Sequence, residues 1–290
     1  MRTDNLEKRF VTNDGRMRIN IYRDEYARNP RDWTDEPLHC NDWARDYSIM
    51  NKDEREYSDA RSLIIQMLVY YGKREAIINE LCKGIKNNRL EYNRSMKRWE
   101  LKEYAKYYMD KGYDWYDEEY FDGRKDDIDL GTLLEHCYDS TINELCDEKY
   151  WTDGVKIASY GFGYYGELSF YNTFDTNSEG IAWLEKDEFL KYSGQDESYW
   201  KGKSLKDIEW LIEELEAWGN GDVYRFVVEE KVVKHIKADY VCQGRTEEYD
   251  EEDWEDTDSC CGFYGDLDKI VDDIFDNAGF KKEELTEVKD

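Results

Sequence analysis

Acidic residues crowd toward the C-terminal end of this chain. Residues 1 to 111 carry 23 Lys/Arg against 20 Asp/Glu, residues 112 to 244 carry 13 against 31, and residues 245 to 290 carry 5 against 18, giving the net charge of −28. Such a surface repels nucleic acid along most of its length and attracts basic surfaces. Its natural targets are proteins, and particularly proteins that themselves bind nucleic acid. The charge does not leave the chain disordered, because 40% hydrophobic and 16% aromatic residues are too many for a disordered acidic segment. At 290 residues the chain has the length for one large domain or two modest ones. Its 10 Trp and 25 Tyr suit both half-buried cores and protein interfaces, with core the default for most of them.

No apolar run approaches the ~18 residues of a membrane span, and the opening MRTDNLEKRF lacks the apolar region of a signal peptide. A cytoplasmic protein is the expectation. Seven cysteines, an odd number scattered through the chain, fit reduced thiols better than a disulfide framework.

Residues 10 to 22 alternate apolar and polar around Asn13-Asp14-Gly15, a hairpin signal. From Ser58, a candidate N-cap, the pattern turns helical, with Leu63, Ile64, Met67, Leu68 and Tyr71 on one side and Gly72 as the stop. A second helix is expected from Lys73 to about Asn87. A third is expected from Leu90 to Lys111, long, basic and aromatic, with Arg94, Lys97, Arg98 and Lys102 interleaved with Tyr92, Trp99 and Tyr104. Such interleaving suits single-stranded nucleic acid, but Glu91, Glu100, Glu103 and Asp110 dilute the charge. It also suits an interface helix that meets a second copy or an acidic part of this chain, or a plain amphipathic core helix. Arg94, Arg98 and Trp99 are the candidates for self-association.

Residues 112 to 130 mix acids and aromatics without helical period and read as an exposed loop, the best internal boundary. The expected domains are therefore 1 to 111, a hairpin and helical subdomain, and 112 to 290, an acidic α+β domain. Gly131 to Tyr150 reads as helix, and VKIASYGFGYYGELSFYNTF as a hairpin with glycines at its turn. A helix opened by Ser204 and stopped by Gly219 follows, then a strand at DVYRFVVEE, a second within KVVKHIKADYVCQG, and a closing helix over residues 266 to 278. The fold class is α+β, with a helical front and a mixed sheet-and-helix rear.

The sharpest acidic feature is TEEYDEEDWEDTD, residues 246 to 258. It reads either as a solvated loop, the usual fate of like-charge blocks, or as a docking surface for a basic groove. In the second case Tyr249, Glu251, Glu252, Trp254 and Asp256 are the candidate contacts, the aromatics serving as anchors among carboxylates. The run lacks the glycine that a familiar Ca2+ loop needs. Zinc would need ligand pairs twice over. The chain offers adjacent Cys260 and Cys261 with Cys242 and His235 upstream, and buried small hydrophobes are the better account of most thiols. No metal or other cofactor is expected. Gly161, Gly163 and Gly166 match G-x-G-x-x-G, but strand-like ELSFY follows where a phosphate loop needs a helix. No nucleophile motif surrounds any of the 3 histidines, so catalysis is not the leading expectation.

Asp258, Ser259, Cys260, Gly262, Phe263, Tyr264 and Gly265 form a DSC-x-GFYG motif, expected as a turn that leads from a strand into a helix. In this the chain resembles small acidic accessory proteins of phages and mobile elements, over about a quarter of its length. In size and acidity it also resembles phage anti-defence inhibitors, among them those of the Gabija nuclease complex. That resemblance implies a homo-oligomer in the host bacterial cytoplasm. It would bind a bacterial defence nuclease or other DNA-binding protein stoichiometrically and block its access to DNA, without itself binding nucleic acid or membrane. The alternatives are an acidic DNA-mimic antirestriction protein and a metal-dependent or hydrolytic enzyme.

Overall fold

The computed structural model describes residues 5–32, 37–43, 48–50, 57–103, 118–164, 166–240 and 245–288. In chain order the strands are β1 (Leu6–Thr12), β2 (Met17–Arg23), β3 (Leu38–Asp42), β4 (Asn88–Asn93), β5 (Arg98–Glu103), β6 (Glu118–Asp122), β7 (Val155–Phe162), β8 (Leu168–Tyr171), β9 (Gly180–Glu185), β10 (Val223–Tyr240), β11 (Arg245–Tyr264) and β12 (Leu285–Glu287). The helices are α1 (Ala60–Tyr71), α2 (Arg74–Lys83), α3 (Leu130–Glu135), α4 (Asp139–Leu145), α5 (Lys186–Ser193), α6 (Glu197–Trp200), α7 (Glu209–Gly219) and α8 (Leu267–Asn277). The class is α+β, built on three antiparallel sheets.

Two compact units emerge, one from Met1–Pro30 with Glu213–Asp290, the other from Arg31–Ile212. The division does not fall at 111/112. The first unit is discontinuous, because its sheet runs β11-β10-β2-β1-β12 and so joins the N-terminal hairpin to the C-terminal strands. This regrouping also evens out the charge. The first unit carries 16 Lys/Arg against 30 Asp/Glu and the second 25 against 39, a net of −14 each.

The hairpin of β1 and β2 turns where the sequence signals it, with Gly15 at φ +72° and its N–H donating to the Thr12 carbonyl at 2.8 Å. Alternation then sorts the sheet's two faces. Phe10, Ile19, Ile21, Phe226 and Val228 point to one side, where Val271, Ile274 and Phe275 of α8 cover them. Phe10 and Phe275 meet edge to face with ring centroids 4.7 Å apart. Asp266 caps α8 by accepting the Asp268 N–H. The DSC-x-GFYG segment is the end of β11 and only its last residue turns the chain. Gly262, at φ +84°, is the extra residue of a bulge between the Tyr224–Phe263 and Arg225–Cys261 pairs, and Gly265, at φ +123°, leads into α8.

In the second unit, α1 and α2 bury Leu63, Ile64, Leu68, Ile77 and Leu81 as the periodicity requires. The cap of α1 is Asp59, which accepts the Ser62 N–H at 2.7 Å, and not Ser58. Gly72 and Gly84 end the two helices. The expected third helix is absent from the described residues. Residues 88–103 form the β4–β5 hairpin, and 104–111 lie outside the described residues. Leu90 and Leu101 are buried partners across it, while Asn93 turns the chain by accepting the Ser95 and Met96 N–H groups through Oδ1. A period of two with an Asn-led turn therefore replaces the helical period.

Other expectations shift in the same direction. β6 pairs with β5 inside the segment expected as loop, and 112–117 lie outside the described residues. Helix 131–150 is interrupted between α3 and α4. There the Asn88 Oδ1 accepts both the Tyr138 N–H and the Thr141 hydroxyl, pinning the break. Ser204 does not cap α7, which starts at Glu209; its N–H and hydroxyl instead donate to Asp207 in the preceding turn. The two strands expected after Gly219 are one strand, β10. A four-stranded sheet in the order β3-β9-β7-β8 completes the unit, with the expected hairpin at β7–β8.

Candidate docking arm

β10 and β11 are far longer than their neighbours. β2 pairs with β10 only from Tyr224 to Glu230, while β11 follows β10 through Tyr240. Beyond Glu230 the two strands continue as a ribbon without a third strand among the described residues. On this ribbon lies most of the acidic run. β11 carries nine Asp/Glu and one Arg between Arg245 and Tyr264. Asp and Glu are poor strand formers, so the strand needs its partner. The Val and Ile residues of β10 supply strand propensity, and its lysines sit across from carboxylates.

The register separates two faces. On one lie Lys231, Val233, His235 and Lys237 opposite Trp254, Glu252, Asp250 and Glu248. Lys231 pairs with Glu252, His235 Nδ1 lies 2.8 Å from Asp250, and Lys237 lies 3.1 Å from Glu248. On the other lie Val232, Lys234 and Ile236 opposite Asp253, Glu251 and Tyr249. There the Lys234 ammonium bridges Asp253 at 2.7 Å and Glu255 at 3.1 Å. The Lys234 hydrogen bond, joined by the Trp254 N–H, holds the Asp253 carboxyl below its usual range, and the two carboxylates raise Lys234.

The five candidate contacts are thus all on β11 but not all on one face. Glu252, Trp254 and Asp256 share a face, and Tyr249 and Glu251 take the other. Trp254 is half-buried because the Arg18 guanidinium stacks on its ring at 4.3 Å, and Arg18 is itself ion-paired to Glu229, which also accepts from Asn20. Tyr249 is 47% exposed. Glu251 and Asp256 are exposed and have no ion pair among the described residues. The sequence reading missed Lys231, Lys234, Lys237 and Arg18. The signal was present in the three-residue spacing of the lysines beside Val232 and Ile236, a short way before the acidic run.

The self-association candidates lie in the second unit. Arg94 is exposed in the β4–β5 turn, the Arg98 guanidinium covers the Tyr120 ring at 3.4 Å, and Trp99 packs partly buried against the core. Gly161 lies within β7, paired with Ser169, while Gly163 and Gly166 lie in the β7–β8 connection, where the Gly166 N–H donates to the Gly163 carbonyl, and strand β8 follows them.

No family model, curated protein or solved structure matches the chain. The chemistry of the arm must be read from its own groups. Cys260 and Cys261 are exposed near the base of β11, whereas burial pushes the Cys137 and Cys146 thiols up to about 12. Among the described residues no three His, Cys, Asp or Glu side chains gather where they could hold a metal, and no helix is long and apolar enough to cross a membrane. What the arm presents is a row of acceptors with a cation-capped indole and an exposed phenol.

Proposed function

We propose that this chain is a stoichiometric protein inhibitor whose acidic arm docks on the basic, DNA-binding surface of a bacterial immune nuclease complex. The observation that carries this reading is the extension of β10 and β11 beyond the rest of their sheet, with exposed Tyr249 on it and Glu251 and Asp256 free of ion pairs among the described residues. Carboxylates on a strand already paired to its neighbour meet a basic groove at less ordering cost than those of a loop. The aromatics add desolvated contact area, where interface energy concentrates.

A DNA-mimic reading draws on one feature of the same strand. Residues rise about 3.3 Å each along a strand, close to the ~3.4 Å of helix axis per phosphate of one duplex strand. The lysines of β10 neutralise several of these carboxylates, which favours the first reading.

The test is cleavage of duplex DNA by a reconstituted defence nuclease complex, Gabija first, titrated with the purified protein. Inhibition saturating at a fixed ratio, and weakened roughly tenfold or more by Glu251→Gln with Tyr249→Ala and Asp256→Asn, is expected. Cleavage unchanged at stoichiometric excess would remove the proposal for that target. A steep loss of binding between low and moderate salt would move the reading to the mimic, because a mimic relies on long-range charge.

A further inference from the structure

The two long edges of the arm are not equivalent. Lys231 donates its N–H to Arg16 on the β2 side, so the odd-numbered residues of β10 turn their backbone groups away from β11 and the even-numbered ones turn toward it. Past Arg16, the N–H and C=O groups of Val233, His235 and Lys237 therefore lie on an edge that no described strand covers. The opposite edge, along β11, is partly closed. The outward N–H of Trp254 goes to the Asp253 Oδ1 and that of Ser259 to the Asp258 Oδ1, each at 2.8 Å. It also carries bulges at Thr257 and Gly262. Charge, bulges and self-capped N–H groups are the devices by which sheets refuse added strands. β11 has all three; the outer half of β10 has neither bulge nor self-capped N–H among the described residues, and its three lysines are drawn into ion pairs with β11.

We infer that the free edge of β10, from Lys231 to Lys237, is a docking surface for the same edge of a second copy, giving an antiparallel four-stranded ribbon in the order β11-β10-β10-β11. Three observations select this occupant. The lysines that would otherwise repel one another across two β10 edges are each already ion-paired to β11 carboxylates. Val233, at 66% exposed, lies on one face of this edge, and half-buried Val232 and Ile236 lie on the other, apolar surface that a copy would cover. A pairing of one edge with itself is two-fold and closes, whereas pairing β10 to β11 of the next copy would propagate into fibres. The ribbon would place its two acidic strands on the outside, about 14 Å apart at the ~4.8 Å strand spacing.

The inference holds whatever the arm's target is, and it is tested without one. Sedimentation equilibrium of the full chain should give a species of twice the 34.9 kDa chain mass that dissociates on dilution. Val233→Pro removes an N–H that has no partner among the described residues, so it should shift the protein to monomer, with at least a tenfold weaker dimer, while the circular dichroism spectrum is kept. Proline is tolerated where a strand's N–H faces outward. Hydrogen exchange on the unmodified chain gives a readout that needs no variant: the amides of Val233, His235 and Lys237 should be protected at high concentration and lose protection on dilution. A chain that is monomeric at all concentrations, a dimer that survives Val233→Pro with its fold intact, or amides at these three positions whose exchange ignores concentration would each overturn the inference.

Discussion

Gly180 shows how one missing side chain holds the core of the second unit. A Cβ placed there would stand 2.3 Å from the Tyr160 ring, which is 1% exposed and cannot retreat into solvent. The ring is fixed at its far end as well, since the Tyr160 hydroxyl donates to the Asp42 Oδ2 at 3.0 Å, the same oxygen that accepts from Ser48 and from the Ile49 N–H. Burial raises the Tyr160 hydroxyl well above its usual pKa, so it remains a donor at any pH the fold survives. Gly180→Ala must therefore displace the ring and strain the Asp42 cluster together. Overpacking of this kind costs about 1–3 kcal/mol, and the lost hydrogen bond adds to it. Urea denaturation should show that loss, while Gly194→Ala, with nothing near its Cβ, should show only the strain of its φ of +66°. Equal effects at the two sites would mean that the Tyr160 contact does not govern Gly180.

At the scale of elements, the arm is a strand pair held by charge as much as by propensity, and its charge pairs set a pH dependence. Asp253 has a lowered folded-state pKa, so its contribution is present above the unfolded carboxylate value and is lost as pH falls through the folded one. Lys234 has a raised pKa and keeps its contribution until pH rises beyond the ordinary lysine range. The arm should therefore be ordered at neutral pH and loosen in acid. Lys234→Gln should return the Asp253 titration midpoint upward toward the ordinary value, read by carboxyl-carbon NMR; an unmoved midpoint would assign the shift to the Trp254 N–H instead. Elements with local signals were legible in sequence: the hairpin at Asn13–Gly15, the helix stopped by Gly72, the β7–β8 hairpin, and α8 behind Asp266, whereas the helix after Gly72 ends at Gly84, short of the expected Asn87. Residues 88–103 were misread because Tyr92, Trp99 and Leu101 also satisfy a helical spacing, and the Asn93 turn that decides the matter is a single side chain. The acidic run was legible as a candidate contact surface but not as a strand. Its strand state depends on lysines across the ribbon, 11 to 21 residues away in sequence for the bonded pairs.

At the scale of the molecule, the division that sequence order suggests and the division that the sheets make are different, and they predict different fragments. β1 and β2 lie inside the five-stranded sheet, between β10 and β12, so residues 1–30 are a structural centre of the first unit and not a leading appendage. Such non-local pairings leave no trace in composition or charge, because β10 lies some 200 residues from β2 and β12 more than 270 from β1. A fragment of residues 112–290 keeps β10 and β11 but loses β2, which supplies the inner edge for Tyr224 to Glu230 and buries Ile19 and Ile21 against Phe226 and Val228. A fragment of residues 31–212 keeps two whole sheets, α1 to α6 and their buried cluster. The expected outcome is that 31–212 melts cooperatively with dispersed amide NMR signals, whereas 112–290 gives broad signals and no cooperative melt. Adding residues 5–30 to residues 213–288 through a short Gly/Ser linker should restore a cooperative first unit, since it returns the two central strands. A well-folded 112–290 fragment would show that the first unit's core does not need its N-terminal hairpin, and the discontinuous division would then fail.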